Sequence, residues 1–279
     1  MTSLSSDGDR PIALITGCSS GIGEASAIRF SQEGYRVYAT MRDPGGISGK
    51  LKQALQEEGG HRVLALDVDD GVAVKMAVTE VEKESGRIDV LVNNAGISSI
   101  SSIEEIAMEE AKAIFETNVF GVLRMTQEVL GGMRNRRSGT IVNVSSVAGR
   151  IVSAGHGIYA ASKHALEAMS ESLAGETNQF GIRVILMEPG FISTPILKKA
   201  DSIILGDTPY KECLGQLINL YREAQLTADS PDTVARSILN ALNDSCPRLR
   251  YVVGSGAQSA LNERNLLTDQ EWISKNPLE

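Results

Sequence analysis

A chain of 279 residues with 42% hydrophobic and 22% charged side chains has ordinary globular usage, which excludes a disordered or collagen-like polymer. It carries 27 Lys and Arg against 35 Asp and Glu, a formal net charge of −8, and so lacks the basic footprint of a general nucleic-acid binder. No apolar run is long enough for a membrane-spanning helix, and the segment from Met1 to Pro11 is polar rather than ordered like a signal peptide. Cys18, Cys213 and Cys246 match no zinc spacing and, being odd in number, no disulfide framework. No metal site is expected, and the thiols read as reduced ones in a cytoplasmic protein.

In chain order, the pattern predicts a buried strand over 11–16 and a helix over 21–33. A second strand follows over 36–40, then a Pro/Gly loop and a helix over 51–58. Further strands are expected at 62–66, 88–92, 140–144, 183–187 and 250–253, with helices at 72–84, 103–119, 159–179 and 232–242. Such alternation implies βαβ units, hence an α/β fold with a doubly wound, mostly parallel sheet covered by helices on both faces. We expect one domain over 1–279, with a core at 11–254. Residues 194–227 read as an insertion of short helices over a cleft, and 255–279 as a peripheral tail around Trp272.

After the first strand stands Thr16-Gly17-Cys18-Ser19-Ser20-Gly21-Ile22-Gly23. Its glycines permit positive φ and close backbone approach, and the helix that starts near Gly21 points free N–H groups at an anion. This is the physics of a phosphate turn, although the spacing matches neither the common dinucleotide fingerprint nor a P-loop. The second strand ends without an acid, and its first charged residue is Arg42. With Ser20 nearby, that favours a 2′-phosphate and so NADP(H), with NAD(H) still possible.

Tyr159 and Lys163 are spaced by four at the start of a predicted helix and share one face. Ser146 lies 13 residues before Tyr159, just past a strand end, where parallel sheets bind ligands. A phenol near an ammonium is expected to have a lowered pKa suited to proton transfer, and a serine hydroxyl can hold a carbonyl oxygen as charge develops.

These motifs resemble the short-chain dehydrogenase/reductase family. The resemblance rests on the loop 16–23, Asp67-Val68, Asn93-Asn94-Ala95-Gly96, Asn118, Tyr159-x-x-x-Lys163 and Pro189-Gly190, in register over about residues 11–254. It implies a Rossmann-type fold and an NAD(P)-dependent oxidoreductase acting on CH–OH groups. By that resemblance Tyr159 is the general acid/base, Lys163 holds the nicotinamide ribose and tunes Tyr159, and Ser146 orients the substrate oxygen, with Ser145 the rival. Asn118 anchors a relay water. Gly17, Ser19, Ser20, Gly21, Ile22 and Gly23 cradle the phosphates. Asp67 and Val68 flank the adenine, Asn94, Ala95 and Gly96 touch its ribose, and Pro189, Gly190, Ile192 and Thr194 face the nicotinamide.

The family places the substrate against 150–158 and 191–225, so Ile151, Val152, His156 and Phe191 are candidate contacts, with Ile196, Leu197, Ile203, Ile204 and Leu205 beside them. The glycine loop and the strand end Val37 to Asp43 are similar to those of hydroxysteroid and retinol dehydrogenases. That implies a lipophilic ketone, aldehyde or alcohol as substrate. The alternative is a non-catalytic NADP(H)-binding regulator of the same fold. The resemblance also implies a homodimer or homotetramer built on the helices at 103–119 and 159–179.

Overall fold

The computed structural model describes residues 10–198 and 205–275. In chain order its elements are β1 (Ile12–Ile15), α1 (Gly21–Gln32), β2 (Arg36–Met41), α2 (Gly49–Glu58), β3 (Arg62–Ala65), α3 (Gly71–Ser85), β4 (Val90–Asn93), α4 (Met108–Phe115), a π-helical stretch (Glu116–Gly121) and α5 (Val122–Arg136). There follow β5 (Gly139–Val144), α6 (Gly157–Thr177), β6 (Ile182–Pro189), α7 (Pro195–Lys198), α8 (Lys211–Thr227), α9 (Pro231–Leu242), β7 (Arg250–Val253), α10 (Ala257–Leu266) and α11 (Asp269–Ser274).

All seven strands pair in parallel in the order β3-β2-β1-β4-β5-β6-β7. The sheet is therefore Rossmann-type, and its order reverses between β1 and β4, where a crevice opens beyond the carboxyl ends of the strands. Strand β1 shows why the sheet needs helices on both faces. Its residues are all buried and alternate in direction. Ala13 and Ile15 join a core with Phe30, Leu51, Leu55, Val234 and Ile238 from α1, α2 and α9. Ile12 and Leu14 join the opposite core with Val74, Val78, Val81, Met125 and Met133 from α3 and α5. Phe30 is wholly buried, its ring centroid 4.7 Å from that of Tyr35. Phe30→Ala is expected to destabilise the protein by about 3–5 kcal/mol in denaturant unfolding without changing the residues of the cleft.

Several elements depart from the sequence expectation. The helix expected over 103–119 starts only at Met108, because residues 103–107 form a turn in which Ser102 Oγ accepts from Glu105 N at 3.2 Å. It then runs through the π stretch into α5, so the chain is helical as far as Arg136. Among the described residues, the insertion holds one long helix, α8, besides the short α7, and the tail forms α10 and α11. No helix among the described residues is long and apolar enough to cross a membrane.

Candidate active site

The glycine turn, Asp67-Val68, Asn94 to Gly96, Ser146 and Pro189-Gly190 each follow a strand end, and Tyr159 and Lys163 on α6 face the same edge of the sheet. There they line a cleft of about 490 Å³. The glycine turn forms its floor. Gly17 and Gly21 take φ of +70° and +62°, which side chains other than glycine's rarely adopt. Ser20 stands at the N-cap of α1 yet makes no side-chain capping bond, which leaves the first amides of α1 to a ligand. Asn94 braces the turn from β4. Its Nδ2 donates to Thr16 O (2.9 Å) and Gly17 O (3.2 Å), while Thr16 Oγ1 accepts from the amides of Asn94 and Ala95 at 3.0 Å each. Thr194 packs over Gly21, at whose α-carbon an added Cβ would meet its Cγ2 at 3.2 Å.

Gly17, Ser19, Ser20, Gly21, Ile22, Arg42, Asp67, Val68, Asn94, Ala95, Gly96, Pro189, Gly190, Ile192 and Thr194 all line the cleft, as do Ser146, Tyr159 and Lys163. Gly23 lies behind the wall, packed against Gly17 and Asn94. Arg42 is exposed at the tip of β2 next to Met41. The cradle and the open helix terminus fit a dinucleotide phosphate. Among the described residues no group of three His, Cys, Asp or Glu side chains is arranged to hold a metal ion.

Tyr159 and Lys163 leave the first turns of α6, and the Lys163 Nζ lies 5.8 Å from the Tyr159 ring centroid. Lys163 Nζ donates to Val144 O at 2.9 Å. Ser146 shares the cleft with the phenol, and its Oγ donates to Pro189 O at 3.4 Å and accepts from Ala148 N at 3.1 Å. Burial pushes the Tyr159 phenol up to about 12, with the Ser146 hydroxyl opposing it. This corrects the expectation that the neighbouring ammonium lowers it: here desolvation of the phenolate dominates. Burial likewise brings the Lys163 ammonium down to about 8, with Glu167 opposing.

Asn118 sits in the π-helical stretch, a distortion frequent at functional sites. It is wholly buried behind the cleft wall, its Oδ1 accepting from Ile97 N and its Nδ2 donating to Ile97 O, both at 2.9 Å, and to Ser162 Oγ at 3.0 Å. A Cβ on Gly96 would meet Asn118 Oδ1 at 3.3 Å and Lys163 Nζ at 3.8 Å, so both groups crowd that residue. Ser145 also lines the cleft, but its buried Oγ has no hydrogen-bond partner.

Of the candidate substrate contacts, Ile151, His156 and Phe191 line the cleft, with Ile196 and Leu197. Val152 does not: it is exposed, and its carbonyl accepts from Trp272 Nε1 at 2.9 Å. A branched apolar residue in a loop carries no signal of which side it faces, and here it turns outward. Leu205 is likewise outside the lining, and Ile203 and Ile204 lie outside the described residues. His156 is buried rather than solvated. It stacks on Tyr159 with centroids 4.5 Å apart, contacts Ser98 Oγ at 3.0 Å, and has the Tyr221 hydroxyl 3.2 Å from each ring nitrogen. Burial lowers its pKa to about 4, so the ring is neutral. Leu217, Leu220 and Tyr221 of α8 and Ala257 and Ala260 of α10 complete the apolar wall. The apolar spacing of Leu214, Leu217, Ile218 and Tyr221 was the signal that could have revealed α8.

The profile of the short chain dehydrogenase family matches residues 11–203. The chain belongs to this family. It is 41% identical over 183 residues to a 3-ketodihydrosphingosine reductase of Bacteroides thetaiotaomicron, a match covering 66% of this chain and 64% of that protein. The chain thus spans just under two thirds of that relative's length. It is 34% identical over 255 residues to the 17-beta-hydroxysteroid dehydrogenase type 1 of Mus musculus, covering 87% of this chain and 73% of the relative. A short-chain dehydrogenase from Streptomyces avermitilis, of known crystal structure, superposes with a TM-score of 0.82 at 32% identity, covering 96% of each chain. As a short-chain dehydrogenase, the protein is an oxidoreductase of CH–OH and carbonyl groups.

Proposed function

We propose that the protein interconverts a ketone or aldehyde and its alcohol on a lipophilic small molecule, with NADP(H) as cofactor. The observation that carries this reading is the convergence of Ser146, Tyr159 and Lys163 on the same cleft as the glycine turn. When bound, the nicotinamide supplies or accepts the hydride. The chain's own groups do the rest. Ser146 donates a hydrogen bond to the substrate oxygen and stabilises the charge that develops there. In reduction Tyr159 passes its hydroxyl proton to that oxygen; in oxidation it takes the alcohol proton. Lys163 holds the ribose hydroxyls and supplies positive charge beside the phenol. Asn118 anchors a water that leads toward Lys163.

The apolar wall of Ile151, Phe191, Ile196, Leu197, Leu217 and Leu220 suits a hydrophobic body, and two relatives are named for ketodihydrosphingosine and hydroxysteroid chemistry. The test is NADPH oxidation, followed by absorbance, against a panel of ketones and aldehydes from small aliphatic to polycyclic. No turnover on any member overturns the reading.

The NADP(H) preference rests on Arg42 and Ser20 at the rim and on the absence of an acid at the end of β2. Arg42→Ala is expected to raise the KM for NADPH about 10–100-fold, the size of a lost charge-assisted bond, and to leave the KM for NADH nearly unchanged. Equal effects on the two cofactors would refute the assignment.

The same reading takes residues 1–279 as one cytoplasmic domain that forms a homodimer or homotetramer. Cys18, Cys213 and Cys246 are free thiols, and Met108, Phe120 and Leu123 expose apolar surface along the α4–α5 stack. Sedimentation velocity measures the assembly.

A further inference from the structure

Behind Lys163 lies a group of buried charges that the proton transfer does not use. Glu167 follows Lys163 by one helical turn, so both side chains share a face of α6, and each residue is only 5% exposed. Glu188 stands on β6 just before Pro189 and is wholly buried. Arg250 of β7 joins the two acids: its Nε lies 2.9 Å from Glu167 Oε2 and 3.4 Å from Glu188 Oε1, and its Nη2 lies 2.6 Å from Glu171. Arg150 reaches Glu188 Oε2 at 3.4 Å.

Three buried atoms of this group, Ser145 Oγ, Glu167 Oε1 and Glu188 Oε1, have no hydrogen-bond partner. Two of them converge on Gly149, where a Cβ would lie 2.9 Å from Ser145 Oγ and 3.3 Å from Glu167 Oε1. Ser145 adjoins Val144, whose carbonyl holds the Lys163 ammonium. Glu167 Oε1 is thus held beside Gly149 and Ser145, on the buried face of α6 that it shares with Lys163.

We propose that Glu167 is a positioning residue whose buried carboxylate keeps the Lys163 ammonium charged in the cofactor site, while Glu188 carries the proton of the acid pair. A buried ammonium held by one backbone carbonyl needs a counter-charge. Two carboxylates that share one guanidinium do not ionise equally, and the short hydrogen-bonded contact with Arg250 belongs to Glu167. Glu188 meets its two arginines only at 3.4 Å, where Glu167 has the 2.9 Å bond, which is the geometry of the neutral member. Burial and the charge of Glu167 push the Glu188 carboxyl up in the same sense. The other groups near Lys163 are Tyr159 on α6 with neutral His156 stacked on it and neutral Asn118 from the π stretch, while Arg150 from the turn after β5 and Arg250 from β7 face the acids.

The inference rests on Lys163 being a cofactor ligand, so the experiment reads NADPH affinity by fluorescence from neutral to alkaline pH, which needs no turnover. Wild-type affinity is expected to fall as Lys163 loses its proton, and Lys163→Met to abolish that alkaline limb. Glu167→Gln should move the midpoint down by about one pH unit, Glu167→Asp should restore most of it, and Glu188→Gln, the isostere of a protonated Glu188, should leave it in place. A Glu167→Gln midpoint equal to wild type, a Glu188→Gln shift as large as that of Glu167→Gln, or a limb that persists in Lys163→Met overturns the proposal. If Glu167→Gln does not fold, Arg250→Met is read instead: loss of that cation should raise the midpoint, and an unchanged or lower value overturns the proposal. Failure of carbonyl reduction with these shifts intact counts against the proposed activity and not against Glu167.

Discussion

Tyr159→Phe is expected to lower kcat for carbonyl reduction by about 10²–10⁴-fold, the range for removal of a general acid, while NADPH affinity changes little. The substitution deletes one oxygen from a fully packed site. The ring that stacks on His156 at 4.5 Å stays, so the wall of the cleft keeps its shape. Ser146 keeps its bonds to Ala148 N and Pro189 O. Lys163 keeps its bond to Val144 O, so the proposed ribose contact survives. Stopped-flow measurement of NADPH oxidation, with cofactor binding followed separately by fluorescence, separates the two effects. A variant that turns over at the wild-type rate would remove Tyr159 from the mechanism. The buried phenol also fixes the expected pH behaviour. With a pKa pushed up to about 12 without cofactor, Tyr159 is a competent proton donor for reduction across neutral pH. Its use as a base in oxidation needs more positive charge than Lys163 provides by itself at 5.8 Å from the ring centroid.

That last point marks a limit of what the chain's pattern reveals. The spacing of Tyr159 and Lys163 correctly places both on one helix face, but a pKa depends on burial, and burial is a property of the assembled walls. Part of those walls comes from α8 and α10, which were expected only as short helices and a peripheral tail. The strands were readable because the central ones are buried on both faces and therefore run as unbroken β-branched and aliphatic segments. α5 was not readable. Gly121 lies at its start and Gly131-Gly132 lie within it, and glycines in a helical pattern suggest an end. In the structure Gly121 serves packing instead: a Cβ there would stand 2.8 Å from Val68 Cγ2. This brings the π stretch against the segment that carries Asp67 and Val68 to the cleft. Asn118 was legible through the family resemblance, and the structure sets it in the π stretch. Val152 was misplaced for the opposite reason. Its outward turn is stabilised by Trp272, which lies 120 residues away in the sequence, and no local pattern records such a contact.

Gly23→Ala is expected to weaken NADPH binding by at least about 10-fold and to lower stability by about 1–3 kcal/mol, the cost of forcing a methyl group into a packed site. The backbone of Gly23 is an ordinary helical one, so the cost is steric and not conformational. A Cβ would fall 2.5 Å from Asn94 Nδ2 and 2.8 Å from the carbonyl carbon of Gly17, with the Gly17 oxygen nearer still. Neither neighbour can yield alone. Asn94 Nδ2 is held by Thr16 O and Gly17 O, and the same asparagine's amide is held by Thr16 Oγ1. The strain therefore passes into the glycine turn, whose amides would otherwise meet the phosphates, and a displaced turn loses several bonds together. Gly131→Ala is the internal comparison. Gly131 lies within α5 with no atom within 4 Å of its Cβ position, so alanine there should raise stability by roughly 0.5–1 kcal/mol and leave NADPH binding alone. Thermal unfolding with and without NADPH measures both variants. In Gly23→Ala the rise in Tm that the cofactor produces should shrink; in Gly131→Ala it should stay the same from a higher baseline. An undiminished cofactor-induced rise in Gly23→Ala would mean that the turn is not the phosphate cradle.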